Sequence, residues 1–393
     1  MKLKKVLLGV FLTTTGFNYL ISQSSDGDFS ETIQGKGTIY NAIQVTLPFL
    51  TIAPDSRSGS LGDAGVATEP DINSQHWNSS KYAFMESNSG IALSYTPWLR
   101  NLVREINLAY LVGYKKLPNN QIISGSLRYF SLGSIILTNN FGVTEGEFSP
   151  SEFAIDVGYT RLFSENIAAG LVFRFIRSDL SGGQFIAGTT KSKAAISFAA
   201  DFNTYYQKEI DISDKTGEIA FGVNISNMGN KVAYTDTQEK GFIPINLRLG
   251  TNFLVNLDDY NKMSFILDLN KLLVPTNPLY KDDSIIAGMD PNVSVPLGML
   301  QSFYDAPGGF KEEIQEIMYS AGIEYWYANQ FAARAGYFHE YQNKGNRKFF
   351  TVGIGLRYNI FELDFSYLVP TSGRHNPLAN TVRFTIGFNF ADN

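Results

Sequence analysis

The chain has no cysteine among its 393 residues, which removes disulfide frameworks, thiol nucleophiles and zinc–thiolate sites together. Charge is also scarce, at 18% of residues with a net value of -5. No basic stripe runs along the sequence, so a nucleic-acid partner is excluded. Past the N-terminus there is no apolar run near the roughly 20 residues that a transmembrane helix needs. Histidine occurs only at His76, His339 and His375. His76 beside Trp77 reads as a packed side chain. His339 is followed by Glu340 near a rim, without a serine in a nucleophile-elbow setting, and His375 falls in an outer loop. With no H-E-x-x-H or calcium-loop spacing either, the sequence implies no catalysis, no metal and no cofactor.

What the chain has instead is 30 Phe, 21 Tyr and 35 Gly, with a mean hydropathy of -0.09. Many short strands, aromatic girdles and tight turns use residues in this way. Met1-Lys2-Leu3-Lys4-Lys5 is a basic start and Val6 to Leu20 an apolar stretch, so residues 1–22 read as an export signal. No lipobox cysteine follows.

From residue 90 onward, apolar and polar residues alternate with period two. In 381–390, Phe384, Ile386, Phe388 and Phe390 share one face, while Arg383, Thr385, Gly387 and Asn389 share the other. Apolar side chains toward lipid and polar ones toward a lumen define an all-β transmembrane chain. Fourteen such segments appear, which predicts a 14-stranded antiparallel outer-membrane β-barrel over 89–393. In the second segment Ile106, Leu108, Tyr110, Val112 and Tyr114 are expected to face lipid. In the fifth, Leu171, Phe173 and Phe175 take that face, with Gly170 and Arg174 inside. Links alternate short and long as periplasmic turns and outer loops should, with 207–216 as the exception.

The inward parity carries Arg128, Arg174, Arg248, Arg334, Arg357 and Arg383 together with Asp156, Asp201, Asp268, Glu324 and Asp364. Facing lipid, each would cost several kcal/mol, about 2–4 for a midplane Arg. Two roles fit them: a network that holds a plug, which is the preferred reading, or the lining of a pore.

Residues 23–88 precede the barrel. Their first part, 23–38, is polar and rich in Ser and Gly. Residues 41–88 show no alternation yet contain Trp77, Tyr82 and Phe84, which a free linker would not bury. The segment reads as a plug within the lumen. Gly59, Gly62 and Gly65 lie three apart, which is not a nucleotide-binding spacing; such glycines let a turn lie close against the wall.

The string from Thr51 to Phe84 resembles the N-terminal segment of the PorV family of the type IX secretion system, within the wider FadL-like barrel group. The matching pieces are Pro54-Asp55-x-Arg57, Gly62-Asp63-x-Gly65-Val66-Ala67-Thr68 and Pro70-Asp71-x-Asn73-Ser74-Gln75-His76-Trp77-Asn78. Ser79-Ser80 departs from the Pro-Ala expected there and is read as loosening a turn. The resemblance implies a non-enzymatic shuttle that takes cargo proteins by a C-terminal sorting domain from a giant translocon barrel. It would deliver them to a surface sortase-like protease and its attachment complex, with outer-membrane lipid around the wall. The alternative on the same fold is transport of hydrophobic small molecules.

The link 273–318 is far longer than joining two strands requires. Phe310 to Met318 has helical spacing, with Phe310, Ile314, Ile317 and Met318 on one side and Lys311, Glu312, Glu313 and Glu316 largely on the other. Together with Phe303 and Tyr304, these apolar residues form the candidate partner-docking loop.

Overall fold

The computed structural model describes residues 41–390 apart from 101–102, 104, 139–143, 184, 187–189 and 372–376. The expected export signal, the segment 23–38 and His375 lie outside the described residues. Fourteen strands close into one barrel: β1 (Ser89–Pro97), β2 (Asn107–Leu117), β3 (Gln121–Ser131), β4 (Ser151–Ser164), β5 (Ile167–Asp179), β6 (Ala195–Ile212) and β7 (Lys215–Gly229). They continue with β8 (Asn246–Asn256), β9 (Asn261–Leu272), β10 (Met318–Tyr327), β11 (Phe331–His339), β12 (Lys348–Tyr358), β13 (Phe361–Pro370) and β14 (Val382–Phe390). Each is antiparallel to the next, and β1 closes on β14 from Ser89↔Phe390 to Tyr95↔Phe384. Closure leaves no backbone donor or acceptor to face hydrocarbon.

Period-two patterning sets the two faces. Phe384 and Ile386 are exposed while Arg383 and Thr385 are buried, and Leu171 and Phe173 are exposed while Arg174 is buried. Phe163, Tyr260, Tyr327, Tyr358 and Phe361 are exposed at the short-turn end, where an aromatic girdle belongs. Several of those turns place Asn at positive φ, at Asn119, Asn120, Asn329 and Asn359, as tight hairpins demand.

Two expectations are corrected. In β2 it is Leu108, Tyr110, Val112 and Tyr114, with Ile106 just ahead of the strand, that are buried inside, while Leu111 is exposed to lipid. Both faces of β2 are largely apolar, because its inner face meets an apolar part of the plug, so hydrophobicity alone could not choose between them. The long link at 207–216 does not exist: β6 runs to Ile212 and β7 starts at Lys215, leaving only Ser213 and Asp214 between them. Every second link is then a short turn, placed on the periplasmic side as in other outer-membrane barrels.

The plug threads the whole lumen. Asn41 N–H donates to Asn343 O at 2.9 Å and Thr46 N–H to Phe242 O at 2.7 Å, both on outer loops. Leu47, Phe49 and Leu50 pack there with Phe130, Ile243, Ile245 and Val274. At the other end Asn88 N–H donates to Phe390 O at 3.0 Å, and β1 begins at the periplasmic rim.

Candidate functional site: the plug and the outer loop

The plug folds around its own motif residues. After buried Pro54, Asp55 caps the short helix α1 (Ser56–Gly59), accepting from Ser58 N–H at 2.9 Å. Its other oxygen accepts from Trp77 Nε1–H at 2.6 Å, so one carboxylate joins the two halves of the string. Trp77 ends α2 (Ser74–Trp77), for which Asn73 is the N-cap. Gln75 N–H donates to Tyr82 Oη at 3.0 Å, and Tyr82 Oη–H donates to Ile72 O at 2.7 Å. The Tyr82 ring stacks on Tyr114 of β2 at 4.7 Å, which is why β2 turns its tyrosines inward. Asn78 Nδ2 donates to Val66 O at 3.1 Å and to Thr204 O of β6 at 2.8 Å. Ser79-Ser80 does not loosen the turn: Ser80 N–H donates to Asn78 Oδ1 at 3.1 Å, and Thr160 and Asn203 of the wall bond to Ser79.

Five of the expected inward charges grip the plug, and Lys262 of β9 joins them through Glu69 at 2.7 Å. Glu324 receives Arg57 through Nε at 2.9 Å and Nη2 at 2.7 Å, and Arg57 Nη1 also donates to Asp71 at 2.9 Å. Asp268 accepts the N–H groups of Gly65 and Val66 at 2.7 and 2.9 Å. Arg128 donates to Leu50 O at 2.8 Å and meets His76 Nδ1. Arg248 donates to His76 O at 3.3 Å and lies over the Trp77 ring. Arg383 reaches Gly59 O at 3.4 Å and Asp63 at 3.5 Å. The other expected inward charges serve the wall: Arg174 bridges Asp156 and Asp201, Arg334 joins Glu324 to Asp364, and Arg357 pairs with Glu362. A buried charge stays charged only with partners of this kind, and the alternating row Asp71–Arg57–Glu324–Arg334–Asp364 supplies them from plug and wall together.

Gly62 shows how closely the two parts fit. Its φ is +69°, and a Cβ would lie 2.5 Å from the Tyr337 carbonyl oxygen of β11. Gly59 likewise abuts Arg383, whereas Gly65 abuts Trp77 within the plug and not the wall.

The outer loop between β9 and β10 carries helices α3 (Val295–Gln301) and α4 (Phe310–Gln315). The acidic side of α4 turns inward. Glu316 accepts from Lys271 Nζ at 2.6 Å, Thr276 Oγ1 at 2.6 Å and Lys344 Nζ at 3.0 Å. Glu313 accepts from Lys271 Nζ at 3.0 Å and Ala306 N–H at 2.8 Å. The apolar side is left outside: Phe310 is 80% exposed, Leu300 64% and Tyr304 60%, with Phe303 and Ile314 also exposed. Met318 does not belong to this surface. It opens β10 and is buried with Phe338, Phe349 and Leu368, while Ile317 is half-buried. Leu297 and Leu300, which the sequence reading missed, join the exposed set; the apolar run 295–304 was the available signal. The end of the plug ties this loop down, with Asn41 Nδ2 donating to Asn277 O at 3.0 Å and to Glu312 at 3.2 Å.

Of the histidines, His76 is buried in the plug, and His339 lies at the outer end of β11 with its Nδ1 3.3 Å from Tyr337 Oη. Glu340 is held by Arg347 at 2.8 Å and not by His339. Among the described residues no cluster of His, Asp or Glu is arranged to hold a metal ion.

The sequence family described as "Type IX secretion system protein PorV" matches residues 36–279, more than half of the chain and including the whole plug. The chain belongs to the PorV family. It is therefore an outer-membrane component of the type IX secretion system. No curated protein matches its sequence. Among solved structures, it is similar to the toluene transporter TodX of Pseudomonas putida, at 9% identity and a TM-score of 0.45 over 89% of this chain and 98% of that one. The toluene transporter TbuX of Ralstonia pickettii gives 10% and 0.43 over 86% and 98%. A FadL homologue of Pseudomonas aeruginosa gives 10% and 0.43 over 86% and 99%.

Proposed function

We propose that this barrel is a non-enzymatic shuttle of type IX secretion that works from its outer face. It would bind the C-terminal sorting domain of cargo at the giant translocon barrel and pass the cargo to the surface protease and attachment complex. The observation that carries this reading is the orientation of the outer loop. An acidic helix face is spent on anchoring, and an apolar face is held out into water, where exposed apolar surface marks a binding site. The grip of the wall on the plug supports it. Plug and wall share a charge network, and each strand is bonded to both neighbours along the wall, which does not favour transport of hydrophobic small molecules through a side opening.

The test is a mild-detergent pull-down of the tagged protein from its own outer membrane, with bound proteins identified by mass spectrometry. The giant barrel, or cargo still carrying sorting domains, is the expected catch, and deletion of 295–316 should lose it while the barrel stays in the membrane. Recovery of the barrel alone with a tightly held hydrocarbon would favour transport instead.

A further inference from the structure

β6 and β7 reach farther toward the periplasm than the strands that flank them. Pairing of β5 with β6 ends at Ile167↔Tyr206, and pairing of β8 with β7 ends at Val255↔Gly217. β6 and β7 nonetheless stay paired to each other out to Ile212↔Lys215. Residues 208–212 of β6 thus form a strand edge with no barrel neighbour on the β5 side. The last bonds on that side join Gln207 to Asn166, through Gln207 N–H to Asn166 O at 3.0 Å and Asn166 Nδ2 to Gln207 O at 2.7 Å. Successive residues of an antiparallel strand present their N–H and C=O groups to alternate sides. Glu209 and Asp211 therefore present theirs to the same open side as Gln207.

Barrel closure exists to remove such edges, and this one opens on a cleft of about 370 Å³ lined by Glu165, Asn166, Gln207, Lys208, Glu209 and Glu218. The charge there is one-sided on the inner face. Glu209 stands directly opposite Glu218 across the ribbon, a like-charge pair that destabilises a sheet unless a cation joins it. The nearby Lys262 is already bonded to Glu69 at 2.7 Å, and Lys208 lies on the other face of β6. That outward face carries Ile210 and Ile212, in line with Tyr206 and Phe202.

We infer that this edge docks an extended segment of a periplasmic partner, which adds one strand to the ribbon and alternates basic with apolar residues. The main chain of Glu209 and Asp211 supplies the hydrogen bonds, as in other strand additions. Basic side chains of the added strand fall beside Glu209, Glu218 and Glu165, and its apolar ones continue the face of Ile210 and Ile212. The inference concerns the periplasmic side and does not rest on the secretion reading of the outer loop.

The test uses the full-length mature protein in detergent and a short fluorescent peptide alternating Lys and Val, read by anisotropy. An alternating Glu–Val peptide and a Lys–Val peptide with a central Pro are the controls. The Lys–Val peptide should bind and both controls should not. Glu209→Pro removes only an N–H on the open side and leaves the bonds between β6 and β7, so it should weaken binding on the order of tenfold. Glu209→Lys should weaken it through charge. Heat-modifiable migration on a gel shows that each variant is folded. Equal binding of the Lys–Val and Glu–Val peptides would overturn the inference, and so would wild-type affinity in Glu209→Pro.

Discussion

The plug and the outer loop solve one problem in opposite settings. Each is an irregular segment attached to the barrel through charged side chains, Arg57 to Glu324 in the plug and Glu313 and Glu316 to Lys271 in the loop. In the plug, the apolar side chains are buried as well: Trp77, Tyr82, Leu61 and Ile72 are all inside. In the loop, the anchoring charges consume the inner face and Phe310, Leu300 and Tyr304 are left out. A segment that buries everything is a seal, and one that buries only its charges is a surface held in place. The difference separates structural from functional charge, because the first kind should govern closure and the second the posture of a binding face.

Breaking the plug should have the largest effect. Glu324→Ala leaves Arg57 and Arg334 buried without their shared carboxylate, a loss of about 3–5 kcal/mol. Thermal unfolding should shift accordingly, and planar-bilayer recordings should show conductance that the parent lacks. Arg174→Leu provides the contrast: it breaks a pair between wall strands only, so it should lower stability while the lumen stays closed. If both variants conduct alike, plug-gripping and wall-bracing charges are not distinct. Next in size is Gly62→Ala, which combines a left-handed backbone with a collision against Tyr337. It should cost about 1–3 kcal/mol, read by the same unfolding measurement.

The loop should respond in the reverse sense. Leu300→Ser with Phe310→Ser removes exposed apolar groups and should change stability by no more than about 0.5 kcal/mol, yet abolish the pull-down of translocon or cargo. Glu316→Ala should leave the barrel folded while 295–316 becomes open to added protease on intact cells. Retained pull-down in the double serine variant would remove the apolar face from the mechanism.

Much of this contrast could be read from the sequence, and the parts that could not share a cause. Period-two alternation gave the barrel wherever one face was polar, as in β5 and β14. It failed in β2, where Leu108, Tyr110 and Val112 point at an apolar plug, because only the identity of the inner neighbour separates the two faces. The same ambiguity affects α4. Its spacing shows an apolar and an acidic side, but only Lys271, Lys344 and Thr276, distant in sequence, determine that the acids turn inward. Met318 was misread for a related reason: strand and helix patterns overlap where one ends and the other begins. The plug motif was legible as a string, whereas its partners Asp268, Glu324 and Arg383 were visible only as inward charges without assigned roles.

The finest test of the loop's anchoring is its pH response. Burial pushes the Asp305 carboxyl up to about 6, although it accepts from Thr276 N–H at 3.1 Å. For Glu312, burial pushes upward too, but Lys344 and the Gly308 N–H outweigh it and hold the group below the usual carboxylate range. The signs oppose. A raised acid favours the folded loop most when protonated, so the Asp305 contribution is full below its unfolded value of 3.8 and is lost as pH rises through about 6. A depressed acid contributes above 4.5 and loses that contribution as pH falls through its lower folded value. Above 4.5 the Glu312 contribution is complete and only the Asp305 slope remains, so hydrogen-exchange protection of 295–316, corrected for intrinsic rates, should weaken in the parent from mildly acidic to neutral pH. Asp305→Asn removes one slope and should leave protection that no longer weakens on going to neutral pH. If the variant weakens toward neutral pH as steeply as the parent or more so, Asp305 is not buried in the working loop, and the inward-facing acids are not what set its position.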